Sequence, residues 1–196
     1  MTAIITNIKI IKTEFFRKSI HFLIALSPLM AVWNRLFTIS FLMAGIMVYI
    51  YLESLRIRGI VIPFFSNIVV KASRPRDNGK FVMGPVTLGL GALMCLVLFP
   101  VNTAAIAIYA LAFGDGLASL VGKPFGKTKP AFLYGKSIEG SLACLAAVFV
   151  VTWNVSRSLP VSLMAAVTAA VVEALPLEDF DNLAMPLTVA IVISLI

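Results

Sequence analysis

Apolar residues run along this chain in long blocks separated by short polar stretches, and the blocks have the length of membrane-crossing helices. A helix spanning a bilayer needs about 20 mostly apolar residues. That ruler predicts seven: Phe15–Trp33, Leu36–Leu55, Phe81–Pro100, Thr103–Val121, Ile138–Asn154, Val161–Leu175 and Leu183–Ile196. Pro100 and Pro160 fall at turns between blocks, where a missing amide donor costs least. The last two blocks are short and are expected to tilt or to enter only part of the bilayer. Two further stretches carry a one-sided pattern. In Ala3–Lys12, Ile4, Ile5, Ile8 and Ile11 fall near one helical face beside Lys9 and Lys12. In Val61–Lys71, Phe64, Phe65, Ile68 and Val69 form a similar stripe after Pro63. Both are expected to lie in the headgroup layer as amphipathic helices. No repeat and no long linker divides the chain. Residues 1–196 therefore read as a single all-α domain, a polytopic membrane helical bundle.

Composition agrees with that class. Hydrophobic residues make up 60% of the chain and charged ones 13%, with a mean hydropathy of +1.01, too little polar surface to cover a soluble core. No basic region precedes the first apolar block, so no cleavable signal peptide is expected. Cys95 and Cys144 lie inside apolar blocks and read as small buried hydrophobes rather than a disulfide or a metal pair. The net charge of +7 comes from Lys and Arg beside the blocks. Anionic headgroups and phosphates, not nucleic acid, are the expected partners.

With the N-terminus in the cytoplasm and seven crossings, every Lys and Arg except Arg35 and Arg157 falls on the cytoplasmic side. The acidic residues fall there too, although the positive-inside rule does not require it. Glu178 and Asp179 are expected to be paired loop carboxylates that tolerate neutralisation. Asp115 differs, because apolar sequence flanks it on both sides; a carboxylate inside a span is a functional-site candidate by default.

Four constellations carry candidate chemistry. Glu14, Arg17, Lys18 and His21 have the spacing of one helix face. Glu53 and Arg56 stand one turn apart at a helix end. In Gly114-Asp115-Gly116-Leu117-Ala118-Ser119, continuing through Gly122-Lys123 to Gly126-Lys127, the face of Asp115, Ala118, Ser119 and Gly122 would let a ligand or another helix approach closely. The glycines and lysines after it suit phosphate groups. In Gly135-Lys136-Ser137-Ile138-Glu139-Gly140-Ser141 the chain re-enters a helix whose free amides would favour an anion. Neither Gly126-Lys127-Thr128 nor Gly135-Lys136-Ser137 is a P-loop, because Val121 and Pro130 stand where the earlier glycine is required. One histidine and two buried cysteines make a zinc site equally unexpected.

In this order and spacing, Arg17-Lys18-x-x-His21, Glu53-x-x-Arg56, Gly114-Asp115-x-x-Ala118-x-x-x-Gly122-x-x-x-Gly126, Lys136-Ser137-x-Glu139-Gly140-Ser141, and Glu173 followed by Asp181-Asn182 cover residues 14 to 182. The chain so resembles the membrane family of dolichol kinase, phytol kinase and CTP-dependent diacylglycerol kinase, related to the phosphatidate cytidylyltransferases. The resemblance implies a kinase that moves the γ-phosphate of CTP, with Mg²⁺, onto a polyprenol, another isoprenoid alcohol or diacylglycerol at the cytoplasmic face. It implies catalytic roles for Asp115, Glu139, Lys136 and His21. Gly122, Lys123, Gly126, Lys127, Lys136, Ser137 and Gly140 would hold the nucleotide phosphates, and Glu14, Arg17, Lys18, Glu53 and Arg56 would support the lipid headgroup. Asp115, Glu139, Asp181 and Asn182 would bring oxygen ligands to Mg²⁺ from separate helix ends. Two other readings stand behind this one. CMP transfer to phosphatidic acid is disfavoured because the longer cytidylyltransferase C-terminal signature is missing. A small ion-coupled transporter would place ionisable groups near the midplane, whereas the outer halves of the blocks are almost uncharged.

Overall fold

The computed structural model describes residues 2–77 and 79–196, with residues 2–12 and Pro75 described by their backbone alone. Among the described residues every regular element is helical. The main helices are α1 (Thr2–Leu23), α2 (Leu26–Trp33), α3 (Arg35–Ile57), α4 (Pro63–Ala72), α5 (Gly84–Leu98), α6 (Val101–Tyr109), α7 (Gly116–Phe125), α8 (Ile138–Ser156), α9 (Leu159–Ala174) and α10 (Asp181–Ser194). A π-helical turn, Ala110–Asp115, joins α6 to α7 without a break.

The helix ends fall where local chemistry requires. Asn34 closes α2 with its backbone N–H on Met30 and opens α3 by accepting from the Phe37 amide at 2.9 Å. Pro63, Pro85 and Pro160 each sit in the first turn of a helix, where no amide donor is missed. Ser137 caps α8 through a 3.1 Å bond from the Gly140 amide. Arg35, expected on the outer side, donates to the Leu96 and Phe99 carbonyls at 2.7 and 3.1 Å. It thereby neutralises the negative end of α5.

The core is built around α6 and the π turn. Ala104, Ala107, Ile108, Leu111 and Ala112 are fully buried, and Cys95, Val148, Ala165, Ala169, Met185 and Val189 pack around them. The alanines let backbones approach closely, as membrane bundles do in place of a hydrophobic driving force. Outward-facing positions are apolar too: Trp33, Leu36, Phe41, Met47, Val97 and Leu142 are exposed. That inside-and-outside apolar pattern belongs to a bundle solvated by lipid.

Four helical stretches are long and apolar enough to cross a membrane: Thr13–Trp33, Arg35–Ile57, Val101–Phe125 and Ile138–Ser156. The other three expected spans are present as shorter apolar helices of 15, 16 and 14 residues: α5, α9 and α10. At 1.5 Å per residue they reach only about 21–24 Å, less than the roughly 30 Å hydrocarbon core. The α5 helix begins at Gly84 rather than Phe81, and Glu53 and Tyr49 bind the amide and carbonyl of Val82 outside it, as described below.

Ala3–Lys12 is helical and continuous with α1; which of its side chains face where lies outside the described residues. The second expected amphipathic stretch forms α4, with one change of face. Phe65, Ser66 and Val69 turn inward, and Phe65 meets Tyr49 of α3 edge-on at 5.6 Å. Phe64 instead faces out with Val61 and Val70.

Candidate active site

Asp115 ends the π turn, where one extra residue in the helical repeat re-aims the side chain. It is 7% exposed. A carboxylate that deep needs compensation, and α1 supplies it. Lys18, 2% exposed, donates to Asp115 Oδ2, and His21 Nε2 stands 3.3 Å from the same oxygen. His21 Nε2 also lies 3.1 Å from the Leu111 carbonyl. A carbonyl oxygen can only accept, so Nε2 carries a proton, and in the neutral form of the ring Nδ1 would hold the free lone pair. Phe22 stacks near Phe113 at 5.7 Å and occupies the space a Cβ on Gly116 would need, which fixes α1 against the turn. The other oxygen of Asp115 lies 3.5 Å from Ser119 Oγ.

The expected face on α1 is therefore real, and it serves the bundle. Glu14, also buried, accepts from Arg17 of its own helix and from Lys123 at the end of α7. Lys18 and His21 hold Asp115. Glu53 is fully buried and accepts two bonds of 2.7 Å from Arg56, a bidentate pair. It also accepts from the Val82 amide at 2.8 Å, while Tyr49 donates to the Val82 carbonyl at 2.9 Å. Arg56 reaches on to the Lys80 carbonyl. This group pins the approach to α5.

A polar cavity of about 240 Å³ opens beside Asp115. Arg17, Arg74, Lys123, Lys129 and Lys136 line it together with Asp115, Glu173, Glu178 and Asp181. A second cavity of about 80 Å³ lies between α1, the end of α4 and the start of α5. Arg17, Arg74 and Asp115 line both, and Asp115 is the one carboxylate the two linings share. Lys136 donates to the backbone carbonyl of Glu173 and stands 3.4 Å from its carboxylate, which also accepts from Ser141 at 3.0 Å.

Several expected placements change. Glu139 turns away from Asp115 and accepts the amides of Lys127 and Thr128 at 3.1 and 3.0 Å, so it orders the loop after α7. Neither Glu139 nor Lys127 is among the residues lining the cavity. Asn182 donates to the Gly84 carbonyl at 3.3 Å and to Thr87 Oγ1 at 3.0 Å, tying α10 to α5. The convergence of Asp115, Glu139 and Asp181 is accordingly not formed. Among the described residues no three His, Cys, Asp or Glu side chains stand close enough to hold a metal ion. The glycines are also placed differently. A Cβ on Gly140 would lie 2.9 Å from the Ala118 carbonyl and 3.2 Å from the Gly122 Cα. One on Gly126 would meet the Gly122 carbonyl at 2.2 Å and Ser137 Oγ at 2.3 Å. Gly122, Gly126 and Gly140 thus let α7, α8 and the joining loop touch backbone to backbone. Gly122, Ser137 and Gly140 still border the cavity, but through that contact.

Arg74, Lys129 and Glu173 join the site without having been singled out for it. Arg74 and Arg76 pair with Asp179 at 3.1 and 2.8 Å, and Arg76 pairs with Glu178 at 3.0 Å, bringing the loops before α5 and α10 together. Opposite charges placed 105 residues apart in sequence gave no local signal.

The chain is similar to three proteins named as phytol kinases. Probable phytol kinase 3, chloroplastic, from Glycine max is 32% identical over 147 residues, which is 65% of this chain and 46% of that protein. Phytol kinase from Synechocystis sp. is 36% identical over 98 residues, 45% of this chain and 42% of its own length. Probable phytol kinase, chloroplastic, from Triticum aestivum is 24% identical over 212 aligned positions, 96% of this chain and 69% of its own. The chain thus spans less than half the length of the first two relatives. No protein-family profile matches it, and no solved structure does.

Proposed function

We propose, from the similarity to three proteins named as phytol kinases, that this chain is a lipid alcohol kinase working at the end of the bundle that gathers its charges. The observation carrying the reading is Asp115, a buried carboxylate shared by a cationic cavity and a smaller, more apolar one. Phosphoryl transfer asks little covalent chemistry of a protein. It asks for cations on the phosphates and an acceptor held in line. Lys123, Lys129, Lys136, Arg17 and Arg74 supply the first on the larger cavity's walls. An ion path across the bilayer would need charged groups along the interior, where the buried positions of α6, and those of α9 between Ser162 and Glu173, are alanine, valine and isoleucine.

The donor set fits a divalent cation carried in with a triphosphate. Asp115 and Asp181 face the same cavity, and Mg²⁺ commonly binds one or two carboxylates together with phosphates and water. Such an ion would neutralise charge on the transferring phosphate. We assign the donor as CTP on the family resemblance, since none of the lining residues reads a base edge by itself. The topology that places this end in the cytoplasm has seven crossings, the short α5, α9 and α10 spanning a locally thinned bilayer. Triphosphate and membrane alcohol then meet where each is available.

The test is transfer itself. Purified protein in nanodiscs, given CTP labelled at the γ-phosphate and a panel including phytol, other prenols and diacylglycerol, should put label into lipid. Lipid label from a parallel reaction with α-labelled CTP, and none from the γ-labelled nucleotide, would indicate CMP transfer and overturn the kinase reading.

A further inference from the structure

The smaller cavity differs from the larger in kind. Arg17, Lys18, Arg74, Asp77, Asp179 and Asn182 line it along with Asp115 and His21, but so do the apolar Ile20, Ala72, Val82 and Leu88, whereas Ala118 is the one apolar side chain on the larger cavity's wall. Val82 and Leu88 are buried, whereas Ile20 and Ala72 are half-buried. Nearby surface is apolar as well, with Leu23 of α1 and Met83 before α5 exposed. Branched side chains beside charged groups, between membrane helices, suit the polar terminus and first carbons of a long-chain molecule.

Resting on the kinase reading above, we propose that this cavity between α1, α4 and α5 is the acceptor pocket. It takes the hydroxyl end and first branched carbons of an isoprenoid-type alcohol, with the rest of the chain in the bilayer. The triphosphate occupies the larger cavity, so donor and acceptor meet across Asp115, which borders both. His21 lines the acceptor side alone of the two cavities. Its Nε2 is engaged by the Leu111 carbonyl and Asp115, which leaves Nδ1 as the ring nitrogen open to a hydrogen bond with the alcohol. In the transfer the alcohol oxygen bonds to the γ-phosphorus as the bond from that phosphorus to the β–γ bridging oxygen breaks. The hydroxyl proton is released to water and the nucleoside diphosphate leaves. Ala72 and Ile20 then set how wide a chain is accepted, because a branched chain must pass between them.

Two measurements on the full chain in nanodiscs test this. The first uses a phytol analogue carrying a diazirine near its hydroxyl, photolysed and mapped by mass spectrometry. Cross-links are expected on the segments holding Ile20, Ala72 and Leu88. The second compares kinetics of Ala72→Phe with wild type. The KM for phytol should rise about tenfold or more while the nucleotide KM stays within about twofold, as a filled pocket discriminates by shape. A thermal melt confirms that the variant is folded. Cross-links mapping elsewhere while transfer proceeds would overturn the pocket and leave the kinase reading standing. Cross-links at these segments in a protein that transfers no phosphate would uphold the pocket and remove the kinase reading. Equal shifts in both KM values for Ala72→Phe would also overturn the assignment.

Discussion

At the scale of residues, the pair of Asp115 with Lys18 decides what mutagenesis can reveal. Asp115→Asn preserves shape, and on sequence grounds it should leave folding intact. With Lys18 only 2% exposed, the variant instead leaves a buried ammonium without its partner. Removing one member of a buried pair costs about 3–5 kcal/mol, whereas replacing both members by neutral groups is often close to neutral. Asp115→Asn should therefore lower both thermal stability and activity. Lys18→Met combined with Asp115→Asn should recover the melting temperature without recovering transfer. A double variant that regains turnover would make Asp115 a structural group.

Glu139 obeys a different logic. Its carboxylate accepts two loop amides, a task a glutamine oxygen also performs. Glu139→Gln should keep kcat within about threefold, while Glu139→Ala frees the loop and raises the nucleotide KM, as loss of a positioning contact does. A loss of several orders of magnitude in Glu139→Gln would restore this carboxylate to the chemistry. The importance of Asp115 was legible because apolar neighbours make a carboxylate conspicuous. The contact of Glu139 was not, since it depends on how the loop after α7 folds back.

At the scale of elements, the crossing of α7 and α8 explains why small residues recur at Ala118, Gly122 and Gly140. The spacing suggests close approach by either a ligand or a helix, and one sequence holds nothing to choose between them. The structure chooses the helix, with Gly140 against the Ala118 carbonyl. Gly140→Val should push the helices apart and cost about 1–3 kcal/mol, as overpacking does. A melting curve in detergent reads this directly, and an unchanged midpoint would show that the crossing yields freely. The π turn was illegible for a related reason. Ala110–Asp115 differs from an α-helix by one hydrogen-bond register, and no proline or polar residue before Gly114 marks it.

At the scale of the whole molecule, four of the blocks read from hydropathy correspond to stretches long and apolar enough to cross a membrane and three to shorter apolar helices, because lipid solvation imposes composition directly on sequence. Their meeting pattern was less legible. Arg17, Asp115, Lys136, Glu173 and Asp181 come from α1, the π turn, the loop before α8, α9 and the start of α10, and only alternation of direction brings those places together. That alternation predicts topology. Single cysteines at Asp77 and Thr128, in a background lacking Cys95 and Cys144, should label from one side of the membrane, and one at Ser158 from the other. Thr128 and Ser158 labelling from the same side would break the arrangement that gathers the site.

The central claim is that phosphate moves from a nucleoside triphosphate to a membrane alcohol beside Asp115. The most direct measurement follows γ-labelled CTP into the lipid phase with phytol as acceptor, for the wild type and for the Lys18→Met, Asp115→Asn pair. The account predicts labelled lipid phosphate from the wild type, and at least about a hundredfold less from a double variant that melts at the same temperature, in keeping with loss of electrostatic stabilisation at the transferring phosphate. Labelled lipid from both proteins at similar rates, or from neither with any alcohol, would contradict it.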